Sequence, residues 1–202
     1  MRSVDSRKDF LRDDLSDALK GLFVSAVVWK AADRAEKAKE KELCPFLKGI
    51  AASATFVQAR ALYEFYNPEK TEKPKGEKGE PAHASHFGRW TKREFTTGSP
   101  QIFERYIEGQ NATGVFRKNS PANKRVFHLS YDRSDFSGGS GPDGPDHLKN
   151  QPIEFATNLR DITERFIATV DDRFRDSAMT ALRKALDGAG QAAQGCNITN
   201  PL

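Results

Sequence analysis

Residues 152–187 read PIEFATNLRDITERFIATVDDRFRDSAMTALRKALD. Phe155, Leu159, Ile162, Phe166, Val170, Phe174, Ala178, Leu182 and Leu186 return every three or four positions, the period of a helix with one apolar side. Pro152 suits the first turn of such a helix, and Asp187-Gly188 suits its end. Asp161 and Arg165, and again Asp171 and Arg175, stand one turn apart with the acid first, the order helical ion pairs prefer. The pattern predicts one long helix from 152 to 187.

Two further segments have the same period. Leu11, Leu15, Ala18, Leu19, Leu22, Ala26 and Trp29 share a stripe, with Ser6 and Asp9 placed as a capping pair ahead of it. That helix is expected to run on through the charged, alanine-rich stretch 31–42. Leu43, Phe46, Leu47, Ile50, Ala54, Val57, Ala61 and Phe65 form the third stripe. Pro45 lies in its first turn, and Asn67-Pro68 closes it. No repeat is present, and no heptad pattern is long enough for a coiled coil.

The connections have a different composition. Residues 67–84 are built from Lys, Glu, Pro and Gly, and residues 134–147 include Ser137-Gly-Gly-Ser-Gly-Pro-Asp-Gly-Pro145. Neither can bury a core, so both are expected to be flexible loops. The glycine cluster lacks the strand, helix and Lys-Ser/Thr ending of a phosphate-binding loop and reads as a linker. The reading is therefore an all-α antiparallel bundle: one helical domain over 1–187, then a flexible tail over 188–202. Between the first two helices and the last, residues 86–133 are ambiguous. Ser99-Pro100 and Ser120-Pro121 look like starts of short helices, yet Val126–Tyr131 also alternates as a short strand would.

Hydrophobic residues make up 37% of the 202 and charged residues 30%, a balance that suits a globular chain. No apolar run is long enough to span a bilayer, and the charged start lacks the apolar segment of a signal peptide. Cys44 and Cys196 lie far apart and make neither a disulfide framework nor a metal spacing, which points to a reducing, cytoplasmic setting. No cofactor and no metal are expected, since no phosphate loop, Cys/His metal spacing or nucleophile elbow is present. The net charge is +4. Its distribution is uneven: residues 86–133 hold nine Lys/Arg against four Asp/Glu, whereas residues 134–202 hold seven against ten. The middle of the chain is the basic part, and an anionic partner would be drawn there.

Of the four histidines, His83, His86 and His147 fall in or beside expected loops and read as surface residues. His128 differs through its company. Residues 122–133 read ANKRVFHLSYDR, placing an amide, three cations and a tyrosine around one imidazole. On a helix, Lys124 and His128 would share a face. A nearby cation depresses the imidazole pKa and can hold a phosphate, leaving a neutral base to take a proton from a hydroxyl. Such a set could cleave RNA without metal; it could equally be a structural histidine on a basic surface helix. Two other features have paired readings. Arg60 and Glu64 are either a surface ion pair or a cleft-facing guanidinium. Trp90 and Phe95, among Arg89, Lys92 and Arg93, either anchor a loop or stack on bases.

Asn123-Lys-Arg-Val-Phe-His128-Leu129 resembles the Asn-Lys-x-x-x-His-Leu signature of HEPN-domain proteins, in particular the bacterial abortive-infection branch. Residues 54–65, ATFVQARALYEF, are similar to the helix that precedes the signature there. The resemblance covers two short motifs and the order of the helices. It implies an all-helical bundle, a homodimer that joins two signature histidines in one cleft, and metal-independent ribonuclease activity in phage defence or with an antitoxin partner. By position it assigns His128 and Asn123 to the catalytic set and Lys124 to the RNA phosphate. The arginine that active members place before the asparagine is Ala122 here, leaving Arg125, Arg117 or Arg133 to supply the missing charge. A non-enzymatic helical interaction protein is the main alternative, and a nucleotidyl acceptor modified at Tyr131 is a third.

Overall fold

The computed structural model describes residues 4–38, 44–67, 82–96, 151–175 and 177–195. These residues are mostly helical, and none forms a strand of a sheet. Among them, no helix is long and apolar enough to cross a membrane. The described part of the chain is thus all-α.

The first helix begins earlier than its sequence signal suggests. α1 (Val4–Phe10) leads without a break into a π-helical turn (Leu11–Leu15) and then α2 (Ser16–Lys37), so Ser6 lies inside the helix instead of capping it. Leu11, Leu15 and Leu19 are spaced by four, which in an α-helix drifts off one face. The wider π turn absorbs the extra residue, and all three leucines are buried. Leu22, Phe23, Ala26 and Trp29 continue the buried side.

α3 (Cys44–Tyr66) returns antiparallel to α2. Thr55 Oγ1 donates to Ala51 O at 2.8 Å and lies 2.9 Å from Ser25 Oγ across a buried contact. Further out, Lys48 Nζ bridges Asp33 at 2.6 Å and Glu36 at 2.8 Å, and lies over the Trp29 ring. The face that α3 buries is not the stripe expected from its period. Ala51, Thr55, Phe56, Ala59, Leu62, Tyr63 and Tyr66 point inward. Leu47, Ile50, Ala54, Val57 and Ala61 point outward. α3 is apolar on two sides, and the core takes the side with the larger rings, since each buried aromatic removes roughly 150–250 Å² from water.

The segment 82–96 packs over the end of α3 through a 3₁₀ turn (Ala84–His86) and the short α4 (Lys92–Thr96). At the two ends of the loop expected over 67–84, Asn67, His83 and Ala84 are instead buried. Residues 68–81 and the expected loop at 134–147 lie outside the described residues.

The expected helix 152–187 is two helices. α5 (Gln151–Thr169) ends where Val170 pairs with Gly88 in an isolated antiparallel bridge. Arg89 N–H donates to Thr169 O at 3.1 Å and Asp171 N–H to Phe87 O at 2.9 Å, so the backbone groups that would extend α5 are used sideways. Arg175 Nε takes Val170 O at 3.0 Å, closing off the exposed carbonyl end. Gly88 is required at this crossing, because a Cβ there would fall 2.9 Å from Thr169 C and from Val170 Cα. The chain then turns through Asp172–Phe174 into α6 (Ser177–Gly195), which passes Gly188 without stopping. Arg175 pairs with Asp172 at 3.2 Å, not with Asp171, and Arg165 donates to Glu94 O at 2.9 Å, not to Asp161.

α5 packs on α3 in the same direction, since Phe56 meets Phe155 and Tyr66 meets Thr163. The long connection before α5 allows this parallel pairing, and α5 stays antiparallel to α2. α6 packs along α2, with Ser16 Oγ donating to Ala181 O at 3.1 Å. The core centres on rings from four of the five described segments, all but 177–195. Phe166 lies 5.5 Å from Phe65, 5.6 Å from Tyr66 and 5.8 Å from Trp90, while Phe87 stacks on Phe10 at 5.8 Å and meets Phe174 at 5.6 Å.

Candidate functional site

A cluster of buried polar groups lies where segment 82–96 crosses the end of α3. A helix leaves its last carbonyls without intrahelical partners. Here they are taken by side chains from the crossing segment: Trp90 Nε1 donates to Tyr66 O at 2.7 Å, and His83 Nε2 meets Asn67 O at 2.8 Å. Asn67 itself donates through Nδ2 to the Tyr63 hydroxyl at 3.0 Å. Nearby, the Tyr66 hydroxyl is paired with Thr163 Oγ1 at 2.9 Å, and burial pushes its pKa well above the usual tyrosine value.

The partners of His83 fix its tautomer. A backbone carbonyl only accepts, so Nε2 carries the hydrogen toward Asn67 O. Nδ1 accepts from the Ser85 N–H at 3.2 Å, with Ser85 Oγ at 2.9 Å. The ring is neutral, 5% exposed and fully committed at both nitrogens. Its pKa lies below the ordinary value, first because burial penalises the cation and then because His86 stands nearby, with the Asn67 bond pulling the other way. His86 Nδ1 accepts from His83 N–H at 3.3 Å, and His86 O accepts from Arg7 Nη1 at 2.9 Å, tying the turn to α1.

His83 is therefore a buried structural histidine, not the surface residue its loop-like sequence suggests. Its nitrogens face fixed backbone partners, which leaves it no free lone pair for base catalysis. Because the folded pKa is depressed, the unfolded chain binds the proton more readily as pH falls below about 6.5. Stability from this clamp is expected to be complete above that pH and to decline as pH falls toward the folded pKa. Urea unfolding followed from pH 7.5 to pH 5 reads this directly. The loss should shrink in His83→Gln, and an equal loss in that variant would move its origin elsewhere.

The paired readings of two other features are settled by position. Trp90 and Phe95 are 4% and 5% exposed, and Phe95 packs on Tyr63 at 5.5 Å, so both are anchors. Arg89, Lys92 and Arg93 remain at the surface around them. Arg60 Nε meets Glu64 at 3.1 Å with both side chains more than a third exposed, as an intrahelical surface pair does. Among the described residues, no group of three His, Cys, Asp or Glu side chains could hold a metal ion.

The residues singled out by the signature, Asn123, Lys124, Arg125, His128 and Arg133, all lie outside the described residues, as do Arg117, Ala122 and Tyr131. His147 does too. Comparison with protein-family models, with curated proteins and with solved structures finds no match to this chain.

Proposed function

We propose that this chain is a HEPN-like helical protein directed at RNA, in bacterial defence or stress, with the segment 122–133 as its working part. The single observation behind this reading is the sequence Asn123-Lys-Arg-Val-Phe-His128-Leu129 in the basic part of the chain. The all-α framework of the described residues is compatible with it. In this reading His128 takes the proton from an RNA 2′-hydroxyl, whose oxygen attacks the adjacent phosphorus; the bond to the 5′-oxygen breaks, leaving a 2′,3′-cyclic phosphate and a 5′-oxygen that is protonated from water. Asn123 orients the site, while Lys124 with Arg125 or Arg133 holds the scissile phosphate. No metal takes part, so the expected result is cleavage of mixed RNA by the purified protein in EDTA. RNA left intact in both EDTA and Mg²⁺, yet bound independently of His128, would leave a binding module in place of an enzyme.

A second reading, a non-enzymatic helical interaction protein, is favoured by a different observation. Four of the five large apolar side chains exposed among the described residues, Val24, Leu47, Ile50 and Val57, sit on the α2–α3 pair. A soluble domain rarely leaves such residues contiguous without a partner.

A further inference from the structure

The contacts between α2 and α3 show that these exposed residues form one face. Ser25 meets Thr55, and the Gln58 side chain lies over Gly21, so a line through these residues separates two sides of the helix pair. On one side lie Leu19, Leu22, Phe23 and Ala26 of α2 with Phe56, Ala59 and Tyr63 of α3, all buried against α5 and α6. On the other side lie Gly21, Val24, Val28, Ala31 and Ala35 of α2. Leu47, Ile50, Ala54, Val57 and Ala61 of α3 lie beside them. Both sets repeat at three and four residues, which is the spacing of a helix seam that packs against another helix. Val24 is 44% exposed, Leu47 47%, Ile50 52% and Val57 40%. None of the described helices covers them.

We propose that this outer face of α2 and α3 pairs with the same face of a second copy of the chain, closing a four-helix layer. The inference is independent of any action on RNA. Shape is the first reason: a flat, two-helix face with matching stripes is complementary to another of equal length, as in bundles built from two helical hairpins. Charge is the second. A two-fold contact sets a face against itself, so uncompensated charge there would repel its own copy. The charges that border this face are closed within the chain: Asp17 with Lys20 at 3.0 Å, Arg60 with Glu64 at 3.1 Å, Asp33 with Lys37 at 2.6 Å and Glu36 with Lys48 at 2.8 Å. Each of these charges already has an opposite charge beside it, which weakens the pull on a strongly acidic or basic partner. Area is the third. At 1.5 Å per residue each stripe runs about 21 Å, and with helices about 9 Å apart two paired faces remove on the order of 1,000 Å² from water, near the lower edge of specific interfaces. A reversible dimer of low affinity follows.

Sedimentation of the full chain over about 5–500 µM tests this, a range that brackets a micromolar dissociation constant. The wild type should move from monomer to dimer mass as concentration rises. Ile50→Glu and Val57→Glu should each raise the dissociation constant about a hundredfold, because a two-fold contact contains every substitution twice. Val24→Glu should do the same from the neighbouring helix. Circular dichroism at low concentration checks that the variants remain folded, and uncharged Val57→Ser repeats the test with a milder change. A wild type that stays monomeric overturns the proposal and leaves the face to a different partner. A dimer that these substitutions leave intact overturns it as well, and places the contact elsewhere, as in the histidine-cleft dimer.

Discussion

Phe166→Ala is expected to remove about 3–5 kcal/mol of stability, the cost of deleting a large ring from a packed core and leaving a cavity. The position is fully buried, and its ring touches aromatics from two other segments: Phe65 and Tyr66 of α3, and Phe87 and Trp90 of the crossing segment. Those neighbours are held by independent bonds, Trp90 through Tyr66 O and Tyr66 through Thr163, so they cannot collapse freely into the space. Incomplete collapse puts the cost in the upper part of the range. Domains of this size have roughly 5–15 kcal/mol in total, so the variant should be close to unfolding at physiological temperature. Its thermal midpoint should fall by about 10–15 °C, taking about 2–4 °C per kcal/mol. Phe166→Leu keeps most of the volume and should lose less than about 1.5 kcal/mol. Urea unfolding of both variants reads the difference. A loss under about 1 kcal/mol for the alanine variant would mean that the ring cluster is not the centre of the core.

The same rings explain how much of the fold is legible in the sequence. The positions of α2, α3 and α5 follow from period alone, because each has a repeat of large apolar residues that only a helix places together. The period does not say which of two apolar sides faces inward. In α3 the residues at 47, 50, 54, 57 and 61 make the cleaner repeat, yet Phe56, Tyr63 and Tyr66 win the core by area. Nor does the period say where a helix stops without glycine or proline. Phe166, Val170 and Phe174 keep helical spacing across the break, but Val170 and Phe174 reach the core from a bridge and a 3₁₀ turn. The residue that forces the break is Gly88, 82 positions before Val170, where close backbone approach is allowed. No local pattern could reveal that pairing.

Site residues were legible to a different degree. Sequence separates His128 from the other histidines by its charged company, a local property. It cannot separate His83 from a surface residue, because the burial of His83 depends on Asn67 across an intervening loop-like stretch. One signal was available: Ala82-His-Ala-Ser-His-Phe-Gly-Arg-Trp90 contains small residues, two aromatics and little charge, unlike the Lys/Glu-rich run before it. Such a change of composition marks the point where a loop returns to the core. Arg60, Trp90 and Phe95 each fell to the plainer of their two readings, in keeping with how often surface pairs and buried anchors occur.

In the proposed RNA reading, His128→Ala is the substitution with the largest functional effect. Loss of a single proton-transfer group costs on the order of 10²–10⁴ in rate, and His83 cannot take over, since both its nitrogens are committed to the backbone. The helix content of the variant should match that of the wild type. Lys124→Ala should weaken RNA binding more than it slows the chemical step, with an effect that shrinks as salt rises, because a phosphate contact acts through counterion release. Ala122→Arg supplies the guanidinium that active HEPN-domain proteins place before the asparagine, and should raise the rate if segment 122–129 is helical in their register. Single-turnover cleavage of a defined RNA in EDTA, with binding measured in parallel at two salt concentrations, separates these effects. If His128→Ala cleaves as fast as the wild type, the activity belongs to other residues and the signature is only a likeness of sequence.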